Sequence, residues 1–164
     1  MTHQRVQVVA AVIRASDGRV LLAQRPQHKH QGGLWEFPGG KVEPGETGVE
    51  ALQRAPHEEL GLSAAAQTPQ SRIQHDYPDK SVELSVWQVT CWSGESYGDA
   101  ISGPSAMQGR EGQPVLWVAP DDFLQLPFPA ANGPIVAAAR LPAIWRITPA
   151  LSSLAEVRQW AAQR

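Results

Sequence analysis

Apolar and polar residues alternate along several stretches of this chain, and this alternation predicts β-strands. The clearest case begins at Val82, where apolar side chains stand at every second position, and it continues as an apolar run to Trp92. We expect a long strand there, with one face better buried than the other. Four further stretches are strand-like and are bounded by turn-forming residues: residues 6–13, 19–24, 34–37 and 115–118.

The hydrophobic pattern takes on helical spacing after residue 46. Thr47 and Glu50 have the spacing of a capping box, so the helix should begin near Thr47. Gly61 suits its end, where a left-handed residue is favoured. At about 100° per residue, one face should pack on the core and the opposite face should meet a ligand. The first face carries Val49, Leu52, Pro56 and Leu60, and the second carries Ala51, Arg54, Ala55, Glu58 and Glu59.

The remaining segments complete the predicted architecture. Residues 93–113 are rich in Gly, Ser and Pro, so we expect a mobile loop. Residues 132–141 suggest a second helix that Asn132 can cap, and residues 154–162 suggest one short helix. The order of strands, helix, strands and helix predicts an α/β fold in which a mixed β-sheet lies between helices.

Composition narrows the function without deciding it. A length of 164 residues suits one domain with a sizeable core, and a net charge of −2 gives no electrostatic case for nucleic-acid binding. No apolar run is long enough to span a bilayer, and we expect no signal peptide. The single cysteine, Cys91, lies in an apolar run and is expected in the core. A chain with one cysteine forms no internal disulfide, which favours a cytoplasmic protein.

The predicted helix and the glycine-rich turn before it carry the candidate chemistry. Glu58 and Glu59 are adjacent, and their carboxylates repel each other unless a cation neutralises them. Because Mg²⁺ prefers oxygen ligands, such a pair can hold it against a diphosphate. Arg54 lies one turn before Glu58 and can orient that residue, or Glu46, by charge-assisted hydrogen bonds. Taken alone, a pair of glutamates is more often a solvated acidic face.

The spacing of these residues resembles the Nudix box, G-x5-E-x7-R-E-U-x-E-E-x-G-U, where U is a bulky aliphatic residue. Seven positions match in register: Gly40, Glu46, Arg54, Glu58, Glu59, Gly61 and Leu62. The box therefore implies a Nudix fold and chemistry on a phosphate-linked substrate.

Two positions depart from the box. Ala55 stands where many members have a glutamate that binds metal or acts as the base for the attacking water, and alanine can do neither. Pro56 replaces the next aliphatic residue, where it removes a helical hydrogen bond at a cost of about 3 kcal/mol or more, so we expect a kink. The alternative is neutral drift in a family that sometimes recruits its base from elsewhere.

Segments outside the box resemble MutT-like nucleoside triphosphate pyrophosphohydrolases. They are residues 33–41, 75–80, 109–114 and 128–132. The resemblance implies that Glu111 is a further metal ligand, that Asn132 reads the oxidised guanine, and that Arg25 binds phosphate or sugar. Phe37 can offer a surface on which a base stacks, and we expect Lys41 to bind the substrate as well. The ordinary alternatives are a loop charge for Glu111, a helix cap for Asn132, a surface strand residue for Arg25 and core packing for Phe37.

The activity that this resemblance implies is hydrolysis of 8-oxo-dGTP, or of related nucleoside triphosphates, to the monophosphate and pyrophosphate. Mg²⁺, with Mn²⁺ as a possible substitute, would neutralise the phosphates and polarise the water. The implied metal ligands are the Gly40 carbonyl, Glu58, Glu59 and Glu111, braced by Glu46 and Arg54.

Two other functions stay open. Ala55 and Pro56 favour a Nudix-fold module that binds a nucleotide or a protein partner without turnover. A weaker option is an enzyme for another nucleoside diphosphate compound, such as ADP-ribose or a dinucleotide. The expected partner is a small nucleotide, with neither nucleic acid nor a membrane.

The chain divides into a Nudix domain, residues 1–141, and a tail, residues 142–164. Residues 141–149 resemble the linker and first strand of MutT-like domains fused to a thiamine-phosphate-synthase-like domain. Because only that beginning is present, we expect no second activity from the tail.

Overall fold

The computed structural model describes residues 5–94, 107–141 and 153–162, which form eight strands and three α-helices. Two short 3₁₀ turns, Pro120–Gln125 and Ala130–Asn132, precede the second helix. The elements in chain order are β1 Val6–Ile13, β2 Val20–Gln24, β3 Trp35–Glu36, β4 Gly39–Lys41, α1 Gly48–Leu60, β5 Leu62–Asp76, β6 Ser81–Gly94, β7 Met107–Gln108, β8 Pro114–Val118, α2 Gly133–Ala139 and α3 Leu154–Ala162.

The strands form two four-stranded sheets. The first has the order β4-β1-β6-β5, and it is mixed because β1 and β6 run parallel, with Val8 opposite Leu84, while the other pairs are antiparallel. The second has the order β3-β2-β8-β7 and is antiparallel throughout. In β4, Gly40 pairs with Val9 of β1, which places the glycine-rich turn beside the centre of the first sheet.

Strand β1 is buried on both faces, which explains its nearly continuous apolar sequence. Ala10 and Val12 join a core cluster with Ile135 of α2. Val9 and Ala11 face the other way and join a second cluster with α1. The predicted α/β fold, with a mixed sheet between helices, is confirmed.

Most predicted elements are confirmed, but the longest of the described strands, β5, was not predicted. β5 lies at the edge of the first sheet and pairs with β6 along almost its whole length, with irregular register near Ala64 and Pro69. Many of its side chains are exposed, so it lacks the clear alternation of a half-buried strand. A proline within a strand is tolerated at such an edge.

Helix α1 begins and ends as predicted. Thr47 Oγ1 accepts a hydrogen bond from the backbone N–H of Glu50 at 3.3 Å, and Glu50 Oε2 accepts one from the backbone N–H of Thr47 at 2.7 Å. Gly61 ends the helix in the left-handed region, with φ of 67°. Pro56 does not interrupt the helix, which continues as a single element to Leu60.

The predicted division of α1 into two faces is partly wrong. Ala51 and Ala55, expected on the ligand face, are buried, and Val49, expected in the core, is 37% exposed. The helix packs on β4 and β5 as well as on β1. Because α1 contacts these strands, its buried face includes Ala51 and Ala55. Val49, in the first turn, lies outside that face.

The structure also tests the predictions for Cys91, for the loop at residues 93–113 and for the short C-terminal helix. Cys91 is exposed rather than in the core, because β6 is well buried only up to Val89. The predicted loop begins later and ends earlier than expected, since β6 reaches Gly94 and β7 occupies Met107–Gln108. Its central part, residues 95–106, and the tail segment 142–152 lie outside the described residues. Helix α3 is confirmed. None of the helices described here is long and apolar enough to cross a membrane.

Candidate active site

Arg54 is the centre of a hydrogen-bonded brace between α1 and the turn before it. Its Nε and one Nη donate to the two carboxylate oxygens of Glu46, at 2.7 and 2.8 Å. Its guanidinium also donates to Glu58 at 3.0 Å and to the backbone carbonyl of Lys41 at 2.9 Å. Hydrogen bonds from Arg54, and one from the backbone N–H of Glu43, lower the pKa of Glu46 to about 2. The brace therefore connects strand β4, the turn that follows it and helix α1.

A cavity of about 490 Å³ opens beside this brace, next to strand β4. Polar groups line it at several points, and β1 and β6 contribute its apolar wall through Val8, Ala10 and Leu84. The predicted site residues that line it are Arg25, Phe37, Gly40, Lys41, Glu59 and Asn132. These residues come from widely separated parts of the sequence, and a mixed apolar and polar cavity of this kind is typical of a small-molecule site.

Glu58 and Glu59 are adjacent in sequence but face different surroundings. The Glu58 side chain is 60% exposed and lines a shallow groove with Glu46 and Arg54. The Glu59 side chain is largely buried and lines the cavity. Burial, followed by the charges of Glu36 and Glu111, raises the pKa of Glu59 to about 8, and the backbone N–H of Gly39 works against this rise.

Ala55 lies at the point where the glycine-rich strand crosses α1. It is 3% exposed, and a Cβ built on Gly40 would lie 2.9 Å from the Cβ of Ala55. No side chain fits at position 40 without displacing Ala55. Position 55 therefore borders the strand that carries Gly40, and a carboxylate there would start one helical turn from Glu59.

Glu111 lies in the turn between β7 and β8 and is connected to the cavity through Lys29. Its carboxylate accepts a hydrogen bond from the Lys29 ammonium at 3.0 Å, and Lys29 lines the cavity. The same turn is attached to the end of α1, because the backbone N–H of Arg110 donates to the carbonyl of Glu59 at 2.8 Å. These contacts bring Glu111 close enough to Glu59 to influence the Glu59 pKa.

The cavity lining also includes an amide, an aromatic ring and an ion pair. Asn132 is 6% exposed, and its side chain does not cap α2. Phe37 packs against Phe123 and Phe128, with ring centroids 6.0 and 5.9 Å away, and it also lines the cavity. Arg25 forms an ion pair with Glu36. The helix-cap alternative for Asn132 is therefore wrong, whereas Phe37 serves the core and also borders the cavity.

The comparisons with known proteins agree with this geometry. The protein family described as "NUDIX domain" matches residues 9–138. The chain belongs to the Nudix family. Among curated Nudix relatives, the CTP pyrophosphohydrolase of Escherichia coli is 38% identical over 133 residues, which cover 81% of this chain and 90% of the relative. The 8-oxo-dGTP diphosphatase of Haemophilus influenzae is 35% identical over 136 residues, covering 83% of this chain and 92% of the relative.

Solved Nudix structures show the same fold. A MutT structure from work on Aliivibrio salmonicida and Vibrio cholerae covers 84% of this chain and 98% of its own, with 34% identity and a TM-score of 0.67. The solution structure of the E. coli ORF135 protein covers 84% of this chain and 89% of its own, with 36% identity and a TM-score of 0.67. The fold and the MutT-like resemblance are confirmed, and the chain is similar to Nudix hydrolases.

The predicted metal ligands of this Nudix domain are only partly brought together. Within residues 5–94, 107–141 and 153–162, no three His, Cys, Asp or Glu side chains are placed so that they could hold a metal ion. Glu58 is turned toward Arg54, and Glu111 is turned toward Lys29. The chemistry of the donor set nevertheless fits a hard cation, since Glu59 is largely buried and lies close enough to the carboxylates of Glu36 and Glu111 for their charges also to raise its pKa, and carboxylate oxygens are the ligands that Mg²⁺ prefers.

Sequence reasoning missed three residues that the Nudix fold places at the site. Glu36 lines the cavity, where burial raises its pKa against the effect of Arg25. Lys29 forms an ion pair with Glu111. Gln113 is a buried glutamine close to Glu111. A sequence signal existed for Glu36, which lies inside the MutT-like segment 33–41. No periodicity or spacing marks Lys29, which pairs with a residue 82 positions away.

Proposed function

We propose that this protein hydrolyses nucleoside triphosphates, including 8-oxo-dGTP, to the monophosphate and pyrophosphate in a reaction that depends on Mg²⁺. The cavity carries this proposal, because the residue predicted to read the base and residues predicted to hold the metal line one space of about 490 Å³. Asn132 is the first of these, and Gly40 and Glu59 are the others. The similar proteins named 8-oxo-dGTP diphosphatase and CTP pyrophosphohydrolase support the same reaction class.

The residues of this chain take separate roles in the proposed reaction. A divalent cation, held by Glu59, Glu111 and the Gly40 carbonyl with Glu58 close by, would neutralise phosphate charge and polarise water. Asn132 can both donate to and accept from the edge of a base. Hydrolysis forms a bond from the water oxygen to phosphorus and breaks the bond to the pyrophosphate leaving group.

The proton of the attacking water needs an acceptor, and Ala55 cannot be one. Glu111 is our candidate base, because its carboxylate is exposed and pairs with Lys29, which lines the cavity. Glu46 and Arg54 are braces rather than participants, since their hydrogen bonds are already used within the protein. Lys41 and Arg25 line the cavity where they can meet phosphate or sugar oxygens.

A binding module without turnover is the second candidate, and Ala55 is the observation that favours it. The position that borders Gly40 carries a buried methyl group and no carboxylate. Such a protein would hold the nucleotide in the same cavity, and the proton acceptor would be missing. Binding and turnover therefore have to be measured separately.

The deciding experiment is a panel of nucleotides with and without Mg²⁺, in which pyrophosphate release and nucleotide affinity are measured on the same preparation. The panel includes 8-oxo-dGTP, dGTP, CTP and ADP-ribose. We expect metal-dependent pyrophosphate release from one or more triphosphates. Glu111→Gln should abolish it, and Asp121→Asn, which removes an exposed carboxylate on a 3₁₀ turn, should not.

Each other outcome has a defined meaning. Tight nucleotide binding without pyrophosphate release would establish the binding module and reject the enzyme. Release of AMP from ADP-ribose with no triphosphate turnover would keep the hydrolase and reject the substrate class. Full activity in Glu111→Gln would reject Glu111 as the base.

A further inference from the structure

Gln113 is a buried polar side chain that lies between two of the proposed metal ligands. It is 5% exposed and is the last residue of the β7–β8 turn, directly before β8. Its amide oxygen accepts a hydrogen bond from the backbone N–H of Glu111 at 3.0 Å. Its amide nitrogen donates to the backbone carbonyl of Glu59 at 3.2 Å. One side chain therefore links the backbones of Glu59 and Glu111, which come from different elements.

The surroundings of the Gln113 amide hold it in one orientation. The Glu59 carbonyl requires a donor and the Glu111 N–H requires an acceptor, so only the observed arrangement of the amide satisfies both. A Cβ built on Gly109 would lie 2.5 Å from the amide carbon of Gln113, so the turn closes around the side chain. The turn is further fixed because the backbone N–H of Gly109 donates to the Gln113 carbonyl at 2.8 Å.

The Glu59 carbonyl is a natural anchor for such a contact. It belongs to the last turn of α1, where carbonyls have no partner within the helix. Two donors from the β7–β8 turn meet it, namely the Gln113 amide and the backbone N–H of Arg110. The backbone contact of Arg110 does not depend on side-chain type, whereas the contact of Gln113 does.

We propose that Gln113 is a positioning residue that fixes the backbone of Glu111 relative to that of Glu59 and thereby sets the affinity of the site for a divalent cation. This inference rests on the proposed function, in which both glutamates hold the metal. Outer residues that orient metal ligands typically change metal affinity by about 10- to 100-fold when they are altered. Gln113 would act in this way through backbone groups and would not touch the metal.

Two substitutions separate the two hydrogen bonds. Gln113→Met keeps a similar length and removes both bonds. Gln113→Glu keeps an oxygen that can accept from the Glu111 N–H, but it replaces the donor that faces the Glu59 carbonyl with a second acceptor. If the link between the two backbones matters, both variants should weaken metal binding, although Gln113→Glu retains half of the contact.

The experiment titrates Mn²⁺ alone into the full-length protein and follows free Mn²⁺ by its electron paramagnetic resonance signal. We expect about 10- to 100-fold weaker Mn²⁺ binding in Gln113→Met. Excess metal should restore kcat, and KM for the nucleotide at saturating metal should stay unchanged. The matched control is Gln74→Met, which alters an exposed glutamine that donates to Glu83 on the β5–β6 pair.

The outcomes distinguish this inference from the proposed function. If the wild type binds no Mn²⁺, or if Glu59→Gln and Glu111→Gln bind it normally, the proposed metal site is wrong. If those two variants lose Mn²⁺ binding and Gln113→Met does not, only the role of Gln113 is rejected. Should Gln113→Met not fold, Gln113→Glu supplies the same comparison. Failure of both to fold, or a lowered melting temperature with normal Mn²⁺ affinity, would overturn the positioning role.

Discussion

The two sides of helix α1 differ in how completely their charged groups are matched. On the groove side, Arg54 donates to Glu46 and Glu58, and every member of the brace has a partner. On the cavity side, Glu59 is largely buried near the like charges of Glu36 and Glu111, which raise its pKa, and Ala55 offers only a methyl group. The residues of the box that form the brace are thus all present, whereas position 55 lacks the glutamate of the box.

The brace and the proposed chemistry therefore rest on different contacts. The brace consists of hydrogen bonds from Arg54 to Glu46, Glu58 and the Lys41 carbonyl, and none of them involves Ala55. The proposed chemistry would depend on carboxylates from several elements. Substitutions on the two sides should therefore have different effects, and the following four predictions test this separation.

The largest effect should come from restoring the missing carboxylate. Ala55→Glu combined with Pro56→Leu returns the charge and the helical hydrogen bond that proline lacks. If the wild type has no working base, activity should rise about a hundredfold or more, because a positioned general base contributes roughly 10²–10⁴; if Glu111 already serves as the base, the rate should stay unchanged. Pyrophosphate release under Mg²⁺ saturation measures it. Pro56→Leu alone should mainly raise the melting temperature. An unchanged rate in the double variant would show that another residue already serves as base.

Breaking the brace should have the next largest effect. Arg54→Ala removes the donors to Glu46, Glu58 and the Lys41 carbonyl. Since a displacement of about 1 Å in an active site can cost 10²-fold, we expect a loss of similar size in kcat/KM. Arg72→Ala, which changes an exposed arginine on β5, is the control. Equal activity in the two variants would mean that the brace is dispensable.

Base selection by Asn132 should show a smaller effect. Asn132→Ala should weaken binding of an 8-oxoguanine nucleotide more than binding of its unmodified counterpart, because a bidentate base contact is worth about 1–3 kcal/mol. Isothermal titration with the two nucleotides measures the difference. If both ligands weaken equally, Asn132 has only a structural role.

The smallest effect concerns acid stability. The pKa of Glu46 is lowered to about 2 from 4.5, so its stabilising contribution is present above pH 4.5 and is lost as the pH falls toward 2. Glu46→Gln should therefore destabilise the protein at neutral pH, and its difference from the wild type should shrink between pH 4.5 and 2. Urea unfolding at several pH values measures this. The control, Asp121→Asn, should show no such convergence.

Much of the fold followed from local patterns. The ends of α1 were predicted from Thr47, Glu50 and Gly61, because capping requires only residues close in sequence. The buried strands followed from their apolar runs. β5 could not be predicted in the same way, because an exposed edge strand owes its conformation to pairing with β6, and its own sequence gives little alternation.

The candidate site likewise has one part that local spacing predicts and another part that it does not. The residues of the box predicted the brace, since Arg54 and Glu58 are one helical turn apart. The predicted cavity residues Arg25, Gly40, Glu59 and Asn132 do line one space, but only the resemblance to a family pointed to most of them. Their roles in binding and catalysis stay predictions.

The sequence by itself determined the helix, its caps and its brace, because these depend on spacings of a few residues along one element. The tertiary structure decided the rest. Sheet register places Gly40 against Ala55, and the β7–β8 turn brings Gln113 to Glu59 across 54 positions of sequence. Local spacing fixes which neighbours along a helix can meet, whereas contacts between distant residues depend on how the sheets and helices pack. That packing is set by burial summed over the whole chain.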